Sequence, residues 1–368
     1  MDDMKSESSD RREFLTGKAA ARALDAARPD DDRCVPVERF EPILEVSRRA
    51  MACEFAVLLP ADNHGPATEI ALAALDVVEQ IEDQLTVYRE SSEVSQVNRL
   101  ASSQPVKIAA DLCELIQESI QIHAATDGAF DITAGPLSKL WGFHHRAGQL
   151  PETSIVEPTL NRVGSQWLEV NEKENTIRFA RSGMEINFGA IGKGYALDES
   201  AKSLRNAGLR DYMMHGGMSS ILAAGRRSES EDPKGWRVAV RNPVATHERL
   251  LEITLEDQAL ATSGSANQFF YFQGRRFSHV IDPRTGWPAE GIWSVTVVTQ
   301  TAAKADALAT ALFVMGPEAA IEFCQRESDI RAWIVTPAAR SGRLEVHTVG
   351  NLPGEWQMVA DDLTIIEH

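Results

Sequence analysis

Apolar residues recur at intervals of three and four along several stretches of this chain, a spacing that places them on one face of a helix. Between residues 67 and 85 they fall at Ile70, Leu72, Leu75, Val78, Ile81 and Leu85. The spacing and its end signals predict helices over residues 67–85, 111–125, 198–207, 302–315 and 317–325. Gly208 and Gly316-Pro317 stand where two of these helices should end, because glycine and proline commonly follow a helix C-terminus.

Other stretches are β-rich, and several alternate apolar and polar residues, as half-buried antiparallel strands do. One strand should begin near residue 43, and others are predicted over residues 54–59, 167–170, 176–179, 184–188, 237–240, 250–255, 294–298 and 331–335. Helices and strands are mixed along the chain. The sequence therefore predicts an α+β fold with helices packed on antiparallel sheets.

The N-terminal segment differs from the rest of the chain. Residues 1–40 are polar and predict a disordered tail, whereas residues 41–368 predict a folded domain. Within the tail, residues 10–16 (DRREFLT) resemble a twin-arginine export signal, but the following residues 17–28 are too charged for its apolar region. This weak signal favours a cytoplasmic location.

Charge and composition exclude several functions. The net charge of −17, with no run of Lys or Arg, argues against a nucleic-acid partner. No stretch approaches the roughly 20 apolar residues of a membrane span. The four cysteines, Cys34, Cys53, Cys113 and Cys324, form no Cys-x-x-Cys pair, so neither a zinc site nor a disulfide framework is indicated.

A glycine-rich turn follows the predicted strand at residues 184–188. Its sequence, NFGAIGKGY over residues 187–195, places Lys193 beside a helix start, where backbone N–H groups can bind phosphate. It is not a Walker P-loop, because the glycines are too close together and Gly194 replaces the usual Ser or Thr. A plain strand-to-helix turn is an equally good interpretation.

Asp306 and Thr310 are four residues apart in the alanine-rich helix, so both side chains lie on one face. A carboxylate and a hydroxyl are ligands that Mg²⁺ accepts while it keeps several waters. The alternative is structural, with Asp306 favouring the helix dipole and Thr310 bonding back to a carbonyl. Taken alone, the pair favours this alternative.

His279 ends a short β-rich run before an Asp-Pro-x-x-Gly turn, where it is a candidate general base. A half-buried histidine bonded to that turn is the alternative. Two further features are turn-like: residues 126–133 break a helix at Gly128, and Tyr88 precedes a polar loop.

Taken in order, these motifs resemble the FAD:protein FMN transferase (ApbE) family. The resemblance covers about residues 45–350. It rests on Tyr88-Arg89, residues 92–98, residues 127–143 (DGAFDIT to WGF), residues 189–198 (GAIGKGYALD), Gly216-Gly217, Thr262-Ser263-Gly264, residues 279–286 (HVIDPRTG) and Asp306 to Thr310.

The resemblance implies a two-lobed catalytic unit with the ligand cleft between the lobes. It implies Mg²⁺-dependent transfer of FMN from FAD to a threonine or serine of an acceptor protein with a flavinylation segment, releasing AMP. His279 would be the catalytic base, and Ala190, Asp306 and Thr310 would hold Mg²⁺. FAD contacts would fall on Met51, Tyr88, Ala129, Phe130, Asp131, Asn187, Lys193 and Val280.

Three positions depart from the family pattern. Asn187 and Met218 stand where aspartate is usual, and His215 stands where asparagine is usual. Two other functions therefore stay open: an FAD pyrophosphatase that releases free FMN and AMP, and a non-catalytic FAD-binding protein. The family resemblance favours the cell envelope rather than the cytoplasm, with any membrane association made only through the acceptor.

Overall fold

The computed structural model describes residues 42–60, 66–143, 148–227, 235–265, 269–338, 343–350, 354–361 and 363–368. The predictions for residues 1–40 lie outside this part of the chain. None of the helices in the described part is long and apolar enough to cross a membrane.

The described elements alternate between helices and strands along the chain. The helices are α1 (Pro66–Leu85), α2 (Glu93–Leu100), α3 (Ala110–Ala125), α4 (Gly135–Leu140), α5 (Thr153–Leu160), α6 (Gly192–Asn206), α7 (Ala302–Met315) and α8 (Pro317–Arg326), with a 3₁₀ turn at Ser165–Trp167. The strands are β1 (Ile43–Ala50), β2 (Cys53–Pro60), β3 (Val106–Lys107), β4 (Leu168–Asn171), β5 (Thr176–Phe179), β6 (Tyr212–Gly216), β7 (Ser220–Ala224), β8 (Trp236–Arg241), β9 (Arg249–Leu255), β10 (Gln258–Gly264), β11 (Phe269–Phe272), β12 (Arg275–Ser278), β13 (Ser294–Thr299), β14 (Arg331–Pro337), β15 (Leu344–Val349), β16 (Trp356–Met358) and β17 (Leu363–Glu367).

A nine-stranded sheet organises the fold, in the order β1-β2-β6-β7-β10-β13-β14-β15-β17. Its neighbours are antiparallel except for β15 and β17, which run parallel. Smaller sheets have the orders β16-β9-β8 and β3-β5-β4, and β11 pairs with β12 as a hairpin. The α+β prediction with antiparallel sheets is confirmed.

Both faces of the large sheet are buried in its central strands. Leu222 of β7 and Ile334 of β14 belong to the core that contains the apolar residues of α1, α6 and α7. Their sequence neighbours Ile221 and Trp333 belong to a second core with β8 and β9. Because successive strand residues point to opposite faces, β7 and β14 are almost continuously apolar.

A small aromatic cluster supports the segment that carries His279. Trp141, Phe143 and Phe277 form this cluster, with Phe270 packed against it. Trp141 donates its indole N–H to the carbonyl oxygen of Gly286 at 2.9 Å. The hairpin β11–β12 and the turn after it are thereby held in place.

The regions predicted as helices over 67–85, 111–125, 302–315 and 317–325 are helical within one residue at each end. The helix predicted at residue 198 instead begins at Gly192. Glycine disfavours helix interiors, so the glycines of this first turn kept the sequence pattern from predicting it as helical. At Gly194 a side chain would overlap the carbonyl oxygen of Ala302, so glycine permits the close approach of α6 and α7.

The strand predicted over residues 184–188 is wrong. Met184, Ile186 and Phe188 are buried, which explains the alternating pattern, but the segment joins no sheet. The side chain of Asn98 donates to the carbonyl oxygen of Ile186 at 2.9 Å and accepts from the Ile186 N–H at 2.7 Å, and the Asn187 N–H donates to the carbonyl oxygen of Ile132 at 2.7 Å. One side-chain amide thus replaces a strand neighbour.

We expect Asn98→Ala to lower the free energy of unfolding by about 2–3 kcal/mol, because it removes two hydrogen bonds and leaves the peptide groups of Ile186 unpaired. The measurement is the urea unfolding midpoint. Asn171→Ala, at an exposed turn, is the matched control and should change the midpoint much less. Equal shifts in the two variants would contradict this role of Asn98.

Candidate active site

A cavity of about 880 Å³ gathers most of the residues that sequence reasoning selected. Its wall includes Ala129, Phe130, Asp131, Asn187, Ala190, Lys193, His279, Val280, Asp306 and Thr310. Met51 and Tyr88 are not in that wall. Met51 packs against the main core at positive φ, and Tyr88 is an exposed residue. Their assignment as FAD contacts stays a prediction.

Asp306 is the buried acidic residue at the centre of this site. Its side chain is only 6% exposed. One carboxylate oxygen accepts a hydrogen bond from the Gly194 N–H at 2.8 Å, and the other accepts from the Ser220 hydroxyl at 2.6 Å. The ammonium of Lys193 lies 3.5 Å from the first oxygen. A carboxylate has about four acceptor positions, so these bonds leave capacity for a cation.

Thr310 follows Asp306 by one turn of α7, and its hydroxyl contacts the hydroxyl of Ser263 at 3.1 Å. This contact faces β10, in place of the bond to a helix carbonyl that the structural alternative supposed. With the Ala190 carbonyl, the donor set is all oxygen with one carboxylate. Among the described residues, no three His, Cys, Asp or Glu side chains converge as a metal site. The set therefore fits Mg²⁺, which takes few protein ligands and shares substrate phosphates.

The glycine-rich turn at the start of α6 uses several of its backbone groups within the protein. The Gly192 N–H donates to the Phe188 carbonyl at 2.7 Å, and the Gly194 N–H donates to Asp306. Asn187 accepts from the Gly189 N–H at 2.8 Å, which closes the turn. The turn therefore aligns Lys193 with Asp306, so that a positive group lies beside the predicted metal ligands.

Asp198 fixes the N-terminus of α7. Its two carboxylate oxygens accept from the N–H groups of Ala302 and Ala303 at 2.9 and 2.8 Å, so it caps a helix other than its own. Burial raises the pKa of Asp198 to about 6, although these two hydrogen bonds favour the charged form. The cap sets the position of Asp306 and Thr310 along the sheet.

Asp131 reaches the cavity wall, but its carboxylate is turned into the protein. Its side chain is 2% exposed and accepts from the hydroxyls of Thr133 and Ser165 at 2.6 and 2.7 Å. His123 lies 3.2 Å away. Burial opposes the charge of Asp131, but His123 and the hydroxyls outweigh it and lower the pKa of Asp131. For His123, burial likewise opposes the charge, but Asp131 outweighs it and raises the pKa.

His279 is held directly after β12 by a rigid turn. Asp282 accepts from the Arg284 backbone and guanidinium N–H groups at 2.9 Å, and its carbonyl accepts from Gly286 at 2.8 Å. Gly286 has φ +75°, where a side chain would also press on Val156. The half-buried His279 ring packs edge-on to Phe143 at 6.4 Å between ring centres.

The departures from the family pattern also lie at this cavity. Met218, at a turn with φ +59°, is 60% exposed. His215 is buried, and within the described residues its Nδ1 has no hydrogen-bond partner. Burial lowers the pKa of His215, which keeps it neutral near pH 7.

Comparison with known proteins gives a consistent answer. Residues 51–334 match the model of the ApbE family. The FAD:protein FMN transferase of Haemophilus influenzae is 31% identical over 260 residues, covering 68% of this chain and 74% of that protein. That of Vibrio cholerae is 34% identical over 248 residues, covering 66% and 72%. The chain belongs to the ApbE family.

Solved structures agree with this assignment. The flavinyl transferase ApbE of Pseudomonas stutzeri is 28% identical, with a TM-score of 0.73 and coverage of 83% of this chain and 94% of that one. The ApbE protein of Thermotoga maritima has a TM-score of 0.72 at 28% identity, with coverage of 80% and 94%.

Sequence reasoning missed the residues that support the site from a distance. Ser220 and the capping contacts of Asp198 lie 86 and 104 positions from their partners on α7. No local pattern marks such a pairing. Ser263 and Asp198 appeared only as members of family motifs.

We expect Asp198→Asn to flatten the dependence of stability on pH between about pH 4 and pH 6. The pKa of Asp198 is raised in the folded state, from 3.8 to about 6, so folding takes up a proton in this window. The stability that Asp198 contributes therefore falls as pH rises. The measurement is the unfolding midpoint at several pH values. Asp329→Asn is the control, because Lys304 lowers the pKa of Asp329 and its titration therefore changes stability only below about pH 4.

Proposed function

We propose that this chain is an FAD:protein FMN transferase, which moves FMN from FAD to a threonine or serine hydroxyl of an acceptor protein and releases AMP. The observation that carries the proposal is the convergence of Asp306, Thr310, Lys193 and His279 on one cavity. Curated relatives bearing this activity name cover most of the chain. FAD is the substrate, and Mg²⁺ is the required ion.

The residues have distinct roles in this reaction. Lys193 places positive charge beside the pyrophosphate, where negative charge increases as the transition state forms. Asp306, Thr310 and the Ala190 carbonyl hold Mg²⁺, which supplies further stabilisation of phosphate charge when bound. Asn187, Ala129 and Val280 line the part of the wall assigned to FAD.

His279 acts on the acceptor. A hydroxyl is a weak nucleophile until a base takes its proton, and a histidine side chain suits that role near neutral pH. We assign the role to His279, which lines the cavity with Asp306 and Lys193. The hydroxyl oxygen forms a bond to the phosphorus of the FMN half, and the pyrophosphate bond to AMP breaks. The acceptor proton passes to His279 and AMP leaves with the bond electrons.

The direct experiment measures the intact mass of an acceptor domain carrying an Asp-x-x-Ser/Thr-Gly/Ala-Ala-Thr segment after incubation with this protein, FAD and Mg²⁺. We expect a mass gain equal to one FMN phosphoester, with AMP in equal amount. AMP with free FMN and no mass gain would indicate the pyrophosphatase instead. Bound FAD without AMP would indicate a flavin-binding protein.

Asp306→Asn should reduce FMN transfer by at least 100-fold and leave the thermal midpoint within a few degrees. The amide keeps an oxygen acceptor and the side-chain shape but removes the charge that holds Mg²⁺. The measurement is the transfer rate as a function of Mg²⁺ concentration. Asp76→Asn, on the exposed face of α1, is the matched control. Equal rates in the two variants would overturn the metal assignment.

The location of the protein is a separate prediction. The twin-arginine-like segment lies in residues 1–40, outside the described part of the chain. Both the cytoplasm, favoured by the weak signal, and the cell envelope, favoured by the family, stay open.

A further inference from the structure

The cavity extends beyond the predicted metal ligands to β8. Arg237, Val238, Ala239, Val240 and Arg241 all line it, although their side chains alternate between the two faces of the strand. A cavity bordered by five consecutive residues of a strand meets the edge of that strand rather than one face. In the described part of the chain β8 is the terminal strand of its sheet and pairs only with β9. We call this edge the β8 edge.

The register shows which backbone groups point out from the β8 edge. Thr254 of β9 donates its N–H to Glu355, on the side away from β8. Thr254 lies opposite Arg237, so this pair exchanges no hydrogen bonds between β8 and β9. Two residues further along, Ala239 lies opposite Glu252, and this pair likewise exchanges no hydrogen bonds between β8 and β9. The N–H and C=O groups of Arg237 and Ala239 therefore point toward the open edge.

The side chains of the same residues give the β8 edge its charge. Arg237, Ala239 and Arg241 are exposed, and neither arginine has an ion pair within the described residues. Glu252, which lies opposite Ala239, is already paired with Arg249 at 2.8 Å and accepts from Gln357 at 3.0 Å. Within the described residues, these two arginines therefore offer positive charge without an ion-pair partner, in a chain whose net charge is −17.

The large sheet supplies the floor beside the β8 edge, on the face whose apolar residues also pack against β8 and β9. Met213, His215 and Ile221 supply it, next to the exposed Met218. It is mainly apolar, with one buried histidine. An extended chain lying here would find backbone partners on one side and apolar surface beneath it, the combination by which sheet edges bind peptides.

We propose that the acceptor protein binds as an extended, acidic segment that adds a strand to the β8 edge. Arg237 and Arg241 pair with its acidic side chains, and the open groups of Arg237 and Ala239 bond its backbone. The continuous cavity then leads the segment to His279, where its hydroxyl reacts. This inference rests on the proposed function, because it supposes a protein acceptor.

Ala239→Pro tests the backbone bonds. Proline removes the outward N–H of residue 239 and spares the ladder to β9, since proline is tolerated on edge strands when the N–H faces outward. We expect the KM for the acceptor domain to rise at least tenfold, with kcat changed less than threefold. Ala239→Val keeps the N–H and is the matched control, with a KM within threefold of that of the unmodified protein.

A second measurement guards against a folding defect in the proline variant. In the unmodified protein, hydrogen exchange in a peptide spanning β8 should slow when the acceptor domain is added.

Arg237→Glu with Arg241→Glu should raise the KM at least tenfold at low salt, and less at high salt because screening weakens ion pairs. Arg178→Glu, at an exposed position of β5 outside the cavity wall, is a single charge-reversal control and should leave KM unchanged.

The outcomes separate the two proposals. If the unmodified protein transfers no FMN to the acceptor domain, both the proposed function and this inference are overturned. If it transfers FMN, but the KM is the same for Ala239→Pro and Ala239→Val and β8 exchange is unaltered, the strand-addition proposal alone is overturned.

Discussion

The buried carboxylate of Asp306 ties together the parts of the molecule on which the site depends. It is bonded to the first turn of α6 through Gly194 and to β7 through Ser220, while it belongs to α7. An unpaired charge at this depth would be costly, and these two bonds satisfy the carboxylate within the folded chain. The absence of a side chain at Gly194 is part of the same constraint, since α6 and α7 must approach closely for the bond to form. Asp198 strengthens the arrangement from the opposite direction, because it lies on α6 and caps α7.

This arrangement has a consequence for the chemistry. The residue predicted to hold Mg²⁺ is already oriented by two hydrogen bonds, and Lys193 lies within 3.5 Å of it. A site whose groups are positioned before the ligand binds has little reorganisation left for the reaction step. His279 is fixed independently, by the Asp282 turn and the aromatic cluster around Trp141. The base and the metal ligands therefore belong to separately stabilised parts of the fold that meet at one cavity.

The sequence predicted those elements in which the buried apolar residues recur at the spacing of a helix or a strand. Helix α7 was predicted from residue 302 to residue 315, and β5 over residues 176–179, as the structure has them. Residues 184–188 alternate as a strand does but join no sheet, because their hydrogen bonds go to the side chain of Asn98 and to the carbonyl oxygen of Ile132. Strand β7 was missed for the opposite reason, since both of its faces are buried and its sequence does not alternate.

The same distinction applies to the candidate site. Asp306 and Thr310 were found because their spacing is local, and family motifs selected the residues that share their cavity. The predicted FAD contact of Asp131 stays a prediction, whereas the bonds of its carboxylate to Thr133 and Ser165 were not predicted, because the pairing with Ser165 is set by tertiary structure. The β8 edge has no sequence signature either, because a strand at the end of a sheet reads like any other half-buried strand.

The central claim is that Asp306, Thr310 and the Ala190 carbonyl form a cation site beside bound FAD. A crystal structure of the protein with FAD and Mn²⁺ tests this most directly, since Mn²⁺ is visible by its anomalous scattering. We expect an anomalous peak within bonding distance of all three oxygens and of the FAD pyrophosphate. A well-ordered FAD with the peak elsewhere, or with the Lys193 ammonium in that position and no peak, would contradict the account.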